Sequence, residues 1–323
     1  MVVSFSENGG TFVSDNIISD EIEFQRAIPD VQKTKSHGVY MGVGPEQNFT
    51  YITAFKPSMA FIVDIRRENL LLHLTYKALI ELSPDRVEFL SRLFARRRPD
   101  GVGPDSTARV LFEAFGAMPV SEDWAQANLR SILGNLEQAH RFLLSDDDKR
   151  GITEVYRSLY VGGPHMHGDF GGGSWIPSYA QLMAQTDLQG HDHSFIESEQ
   201  NFQTLKEYES KNLIVPLVGD FAGERAIRSV GRYLRDHNAT VSTFYTSNVE
   251  EYLFKGGKAQ TFFANVATLP FTDDAFFIRS FFTHTDAGLH TLLDSIGECL
   301  AAVMSGEIRT YADVISRSTS PRP

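Results

Sequence analysis

Five short apolar runs, each closing near Gly, Asp, Asn or another polar turn, constrain this chain more than any other feature. They occupy residues 38–43, 60–65, 213–219, 240–246 and 276–282. Runs of this length bounded by turn residues read as buried strands; His37–Val43, followed by Gly44-Pro45, is the first. Helical spacing fills the gaps. Residues 46–55 read as a helix that Pro57 ends, and 67–82 as a second with Leu71, Leu74 and Ala78 on one stripe. Further along, 222–237 places Ala226, Val230 and Leu234 on one face, and 249–254, 259–267 and 289–303 read as helices. Strand–helix–strand order of this kind predicts a parallel sheet covered by helices.

From 84 to 211 the strand signals fade, and 84–95, 107–116, 122–143 and 146–160 read as helices. Ser121 with Trp124 and Ser145 with Asp148 mark two helix starts, although neither pair has the Glu or Gln of a full capping box. Residues 162–175 (GGPHMHGDFGGGSW) are too glycine-rich for a helix and read as a loop. The expected architecture is α/β: one doubly wound, mainly parallel sheet built from 37–83 and 212–316. A large helical insertion spans 84–211, and residues 1–36 form an N-terminal cap segment. Pro216 sits awkwardly in its strand because proline lacks a ladder donor. The polar tail 318–323 is expected to fray.

Composition narrows the function. A chain of 323 residues can bury a core without disulfides or a structural metal. With 30 Lys+Arg against 41 Asp+Glu, its net charge of −11 suits a phosphate backbone poorly, so nucleic acid is not the expected partner. The single cysteine, Cys299, excludes an internal disulfide and multi-cysteine metal sites, and its apolar surroundings (IGECLAAV) predict an inert buried thiol. A reducing, cytoplasmic location is expected. The N-terminus lacks a signal-peptide pattern, and no run approaches about 18 apolar residues, so no membrane span is expected. Asn48-Phe49-Thr50 then reads as an accidental sequon.

In open parallel sheets ligands bind beyond the carboxyl ends of the strands, where chain order reverses. The first strand ends in Gly42-Val43-Gly44-Pro45-Glu46-Gln47-Asn48, the second in Asp64, the third in Gly219-Asp220 and the fourth in Ser247-Asn248. Glycine lets backbone approach a ligand closely, and the following helix offers unpaired N–H donors. The dinucleotide fingerprint G-x-G-x-x-G fails at Gln47, and no P-loop occurs, so a nicotinamide or nucleoside triphosphate is not expected. Asp64 either accepts ribose hydroxyls or pairs with Arg66 or Arg67 on the surface. Asp220 either receives an amino group of a base or caps a helix starting at Ala222.

The histidines leave alternatives. His165-x-His167-x-Asp169, His191-Asp192-His193, and His284 and His290 around Asp286 have spacings that could hold a divalent metal. One imidazole among His165, His167 and His193 could instead act as a general base, and such pairs also occur on plain surfaces. No metal is assigned. Arg96-Arg97-Arg98 reads as a helix-end cluster complementing the dipole. No G-x-S-x-G elbow is present.

The strand-end residues resemble the class I S-adenosylmethionine-dependent methyltransferase superfamily, whose fold is Rossmann-like. The segment GVGPEQNFTYITAFKPSMAFIVDIRRENLLLHLTYKALIEL, with Ser247-Asn248-x-x-Glu251-Tyr252 further on, is also similar to betaine-lipid type 3-amino-3-carboxypropyl transferases. The resemblance covers 37–82 and 212–282. It departs from the family in its turn, G-V-G-P-E-Q-N, and 84–211 has no counterpart. It implies S-adenosyl-L-methionine as cofactor and a small-molecule acceptor, whose site the helical insertion at 84–211 would shape. It implies cofactor binding by Gly42, Gly44, Glu46, Gln47, Asn48, Asp64, Arg66, Gly219, Asp220 and Ser247. Tyr245 and Asn248, together with His165 and His167 as candidate bases, form the expected catalytic set. Aromatic faces suit a sulfonium, and Tyr40, Phe49, Tyr245 and Tyr252 lie near strand ends. A homodimer is compatible with all of this.

Overall fold

A computed structural model describes residues 1–14, 16–34, 38–168, 176–282 and 289–322. His37, Asp169, the glycine run to Trp175, His284 and Asp286 lie outside the described residues. All five apolar runs form strands: β1 (Val39–Gly42), β2 (Ala60–Asp64), β3 (Ile214–Val218), β4 (Val241–Ser247) and β5 (Phe271–Phe282). A sixth, β6 (Leu289–Ser295), completes one sheet of order β3-β2-β1-β4-β5-β6. The pairs from β3 through β5 are parallel, and β6 runs antiparallel to β5. The fold is therefore mixed α/β with a mainly parallel sheet.

Helices of seven residues or more among the described residues are α1 (Gln47–Phe55), α2 (Arg67–Leu82), α3 (Arg86–Leu93), α4 (Ala108–Ala117), α5 (Glu122–Gly134) and α6 (Asp146–Gly162). They continue with α7 (Glu199–Ser210), α8 (Ala226–Asp236), α9 (Val249–Lys255), α10 (Ala259–Val266), α11 (Ile296–Ser305) and α12 (Tyr311–Arg317). None of them is long and apolar enough to cross a membrane.

Every residue of β1, β2 and β3 is buried, which explains why these strands read as unbroken apolar runs rather than alternating ones. Pro216 is tolerated because β3 is the edge strand: its missing N–H falls on the side with no neighbour. Helix α2 is buried almost all round, from Asn69 through Ile80, because α6 covers the face it turns from the sheet. Arg67 of α2 forms a two-pronged ion pair with Asp148 of α6, at 2.6 and 2.8 Å.

Two local expectations are corrected. Residues 289–303 are not one helix: 289–295 pair with β5, and α11 begins only at Ile296, where Ser295 accepts from the Glu298 amide. Pairing across the sheet outweighs the local helical spacing. The start of α6 does carry a capping box, because Asp148 takes the place of the usual Glu or Gln.

The buried guanidinium of Arg279 ties the far half of the sheet together. It reaches Asp294 on β6 at 2.9 Å, Glu250 on α9 at 3.2 Å and the Cys299 sulfur on α11 at 3.3 Å. Cys299 is buried, as expected, and burial pushes its thiol up to about 12. Because Glu250 lies just beyond the β4 end, this cluster also anchors the helix that follows Ser247-Asn248. Arg279→Ala leaves two buried carboxylates without their cation and is expected to cost about 3–5 kcal/mol in urea unfolding. A loss below about 1 kcal/mol contradicts that anchoring.

Candidate functional site

The turn after β1 is built from within. The Asn48 carboxamide donates to the carbonyls of Val43 (2.9 Å), Gly44 (3.2 Å) and Pro45 (2.8 Å), while its oxygen accepts from the Tyr40 hydroxyl at 2.8 Å. A Cβ at Gly42 would overlap that same amide oxygen, so glycine is required there for packing. Gly44 has φ +78° and open space where a Cβ would point. From behind, the His73 Nε2 lies 2.9 Å from the Gly44 carbonyl. Burial pulls His73 down to about 4, so the ring is neutral at physiological pH. A carbonyl only accepts, which assigns the proton to Nε2.

This turn, with the ends of β2, β3 and β4, opens onto one cavity of about 300 Å³, to which Gly44, Asp64, Asp220 and Asn248 all contribute. Arg66, Gln47, Gly219, Tyr245, Ser247 and Tyr252 line it too. Its roof is the N-terminal segment. The Glu7 amide donates to Val218 at the end of β3 (3.0 Å), and the Gly10 amide to Ile65 beyond β2 (2.8 Å). Residues 11, 12, 16 and 18–21 then line the cavity as a strap. A Cβ on Gly10 would lie 2.8 Å from the Ile65 side chain, so glycine lets the strap lie this close.

Asp64 is paired with Arg66, as one reading of the sequence had it, but the pair is buried rather than at the surface: each residue is 5% exposed. Oδ1 accepts from the Arg66 backbone N–H (2.9 Å) and Nε (3.1 Å), and Oδ2 from Nη2 (2.9 Å). A carboxylate has about four acceptor sites, so Oδ2 retains one. Asp220 accepts from the Ala222 amide and from Lys258, both at 2.9 Å. It holds a turn rather than capping a helix, because α8 begins only at Ala226.

At the other end the Glu21 carboxylate accepts from Tyr245 at 2.6 Å and from the Ser247 hydroxyl, while the Gln47 amide donates to Tyr245. Burial raises Glu21 against those donors, and burial with the neighbouring Glu21 charge pushes Asp20 up to about 7. Burial likewise raises Glu46 to about 7. The Tyr245 phenol, raised well above its usual range by burial, stays protonated and donates. Among the described residues, Glu46 Oε2 and Gln47 Oε1 are buried acceptors without a donor. Ser247 is held at φ +52°, a conformation non-glycine residues adopt rarely and often at functional sites. Asn248 makes no side-chain cap to α9. At the mouth, Phe12 and Tyr252 meet edge to face, 4.9 Å between ring centres.

Not every expected residue reaches the cavity. Gly42, Glu46 and Asn48 stand behind the turn and support it. Tyr40 and Phe49 are fully buried in the core. His165 and His167 are exposed and do not line the cavity; His165 lies beside Gly116, and His167 contacts the Ile176 carbonyl at 2.7 Å. His193 and His191 flank Asp187 at 2.7 and 3.5 Å. Among the described residues no three His, Cys, Asp or Glu side chains are grouped to hold a metal. What the sequence reading missed is the strap with its acids Asp20 and Glu21, and His73. The traces were there: a Gly9-Gly10 pair, two adjacent acids, and one histidine inside a leucine-rich helix.

Residues 17–296 match the family described as domain of unknown function (DUF7790). The chain belongs to that family. Nothing among the curated proteins matches it. The matched span of this DUF7790 member contains all four strand ends and the acidic half of the strap.

Two outcomes follow from this geometry. Gly42→Ala drives a methyl into the Asn48 amide and is expected to cost about 1–3 kcal/mol in thermal or urea unfolding; a neutral effect contradicts the packing described. Glu46 has a native pKa of about 7 against an ordinary 4.5, so the folded chain holds a proton the unfolded chain releases between those values. Its burial therefore costs stability increasingly as pH rises through that window. Glu46→Gln should gain on the wild type from pH 4.5 to 7, by up to about 3 kcal/mol, and level off above. A difference independent of pH contradicts it.

Proposed function

We propose that this protein is an S-adenosylmethionine-dependent transferase acting on a small molecule, on a sheet of the Rossmann-like, doubly wound kind. The observation that carries the reading is the convergence of Gly44, Asp64, Asp220 and Asn248, from four strand ends, on a single cavity. Reversal of strand order between β1 and β4 places that cavity where such sheets bind ligands.

The residues fit the cofactor's chemistry. Asp64 Oδ2 has one acceptor site left for a ribose hydroxyl. Asn248, with no hydrogen bond from its side chain among the described residues, is open to the ligand. The buried Gln47 Oε1, on a side chain joined to Glu21 through the Tyr245 hydroxyl, suits an ammonium group, and the Tyr252 face suits a sulfonium. Bound there, S-adenosylmethionine would supply an electrophilic carbon on its sulfonium, which would pass to the acceptor's lone pair with the carbon–sulfur bonding pair left on sulfur. The group moved is methyl by superfamily, or 3-amino-3-carboxypropyl by the nearer resemblance. The chain's own part is to exclude water with the strap, orient the two reactants and accept a proton. Asp20 is the group best suited to that last task, because its carboxyl lines the cavity and sits at about 7. It takes the role the sequence reading gave to His165 and His167. Arg66, held by Asp64, shapes the ribose subsite instead of binding the cofactor carboxylate.

Calorimetric titration with S-adenosylhomocysteine tests the reading. Saturable binding is expected. Asn248→Ala, which breaks no side-chain hydrogen bond among the described residues, should weaken it by up to about tenfold. Asp20→Asn should retain binding and lose turnover. Absence of heat at millimolar ligand, with folded protein, would sink the proposal; binding without any transferase turnover would favour a noncatalytic module.

A further inference from the structure

A second cavity, about 410 Å³, lies on the opposite side of the strap, between α2 and α6. Thr11, Phe12 and Arg66 line both cavities, so the strap forms the wall between them. This space owes part of its shape to glycine: Gly151 of α6 abuts Leu71 of α2, where a Cβ would sit 2.5 Å from a leucine methyl. The lining is apolar on Ile17, Leu72 and Val155, and polar at one place in particular. Asn69 is only 2% exposed, and its Oδ1 is enclosed without a donor among the described residues. An acceptor shut away without a partner costs stability and is accounted for by a ligand that donates to it.

The wall carries an uncompensated negative charge. Its charged residues are Arg66, Glu68 and Glu154, and the guanidinium of Arg66 is already neutralised by Asp64 at 2.9 Å. Both glutamates are exposed at the cavity edge, and their charge is uncompensated by the rest of the lining. A buried oxygen acceptor, two carboxylates and an aliphatic wall together select a cation on a short hydrocarbon.

We propose that this second cavity binds a small molecule bearing a primary amine, its ammonium group directed to Asn69 and Glu154 and its alkyl part against Leu72 and Val155. This site stands apart from the transferase reading above and does not depend on it: the Thr11–Phe12 wall separates the amine from the cofactor cavity.

The probe is n-butylamine, titrated against the full chain by saturation-transfer NMR, with 1-butanol and butyrate as controls. Butylamine is expected to bind at least about tenfold more tightly than either control. Glu154→Gln, an exposed change that should not disturb folding, is expected to weaken it by about fivefold, and Asn69→Leu by more. Asn248→Ala, in the other cavity, should leave butylamine binding unchanged, and Glu154→Gln should leave S-adenosylhomocysteine binding unchanged. If Asn69→Leu does not fold, Ser158→Trp, which fills the cavity from the α6 side, should abolish amine binding. Equal response to amine and alcohol, or full amine binding in Glu154→Gln and Ser158→Trp, overturns the proposal. Loss of S-adenosylhomocysteine binding with intact amine binding would instead overturn the cofactor reading alone.

Discussion

One carboxamide governs the rim of this sheet. Asn48 satisfies three consecutive carbonyls of the turn with one NH₂ group and receives the Tyr40 hydroxyl on its oxygen. The Val43 carbonyl has no other donor among the described residues, and leaving it unpaired would cost about 1–3 kcal/mol. The turn is therefore locked from inside, with neutral His73 pinning the Gly44 carbonyl from the helix below. Because its backbone carbonyls are held by the protein, the turn can present Gly44 and Gln47 to the cavity without needing a ligand to hold its shape. That is preorganisation: the conformational cost is met at folding, not at binding.

The opposite wall is under strain of another kind. Asp20, Glu21 and Glu46 are brought together by the strap and the turn, and burial pushes all three carboxyls upward. Such a cluster weakens the empty protein near neutral pH and favours a cation in the cavity. Ser247, held at positive φ, contributes its hydroxyl to the same cluster. Acids that resist ionisation, a strained serine and acceptors lacking donors occur together here, which is the pattern expected where stability is exchanged for ligand recognition. Arg279, by contrast, is fully compensated and serves only to hold α9 and β6 to the sheet.

Much of this was legible in the residues. Strand positions followed from short apolar runs because both faces of the sheet are covered, and the strand ends followed from where those runs stop. The parallel order, and with it the meeting of Gly44, Asp64, Asp220 and Asn248, is a consequence of that alternation. Long-range partners were not legible. β6 reads as a helix start until β5 is placed beside it. His73 looks like any helix residue until the turn above it exists. Asn48 and Glu46 stand in the right segment, yet only the three-dimensional turn reveals that they face its inside rather than the cavity. The strap was the largest omission: Asp20 and Glu21 lie more than twenty residues before the first loop tip, and nothing in local spacing brings them over the sheet. His165 and His167 lie away from this cavity for the matching reason, since a suggestive spacing within one loop says nothing about where that loop is carried.

The central claim is that four loop tips and the strap form one adenosyl-binding chamber. A crystal structure of the full chain grown with saturating S-adenosylhomocysteine tests it most directly. The account predicts the ligand between Gly44 and Asn248, with a ribose hydroxyl on Asp64 Oδ2 and the amino group toward Gln47 and Glu21. Ligand density against other residues, or an empty chamber at saturating concentration, would contradict it.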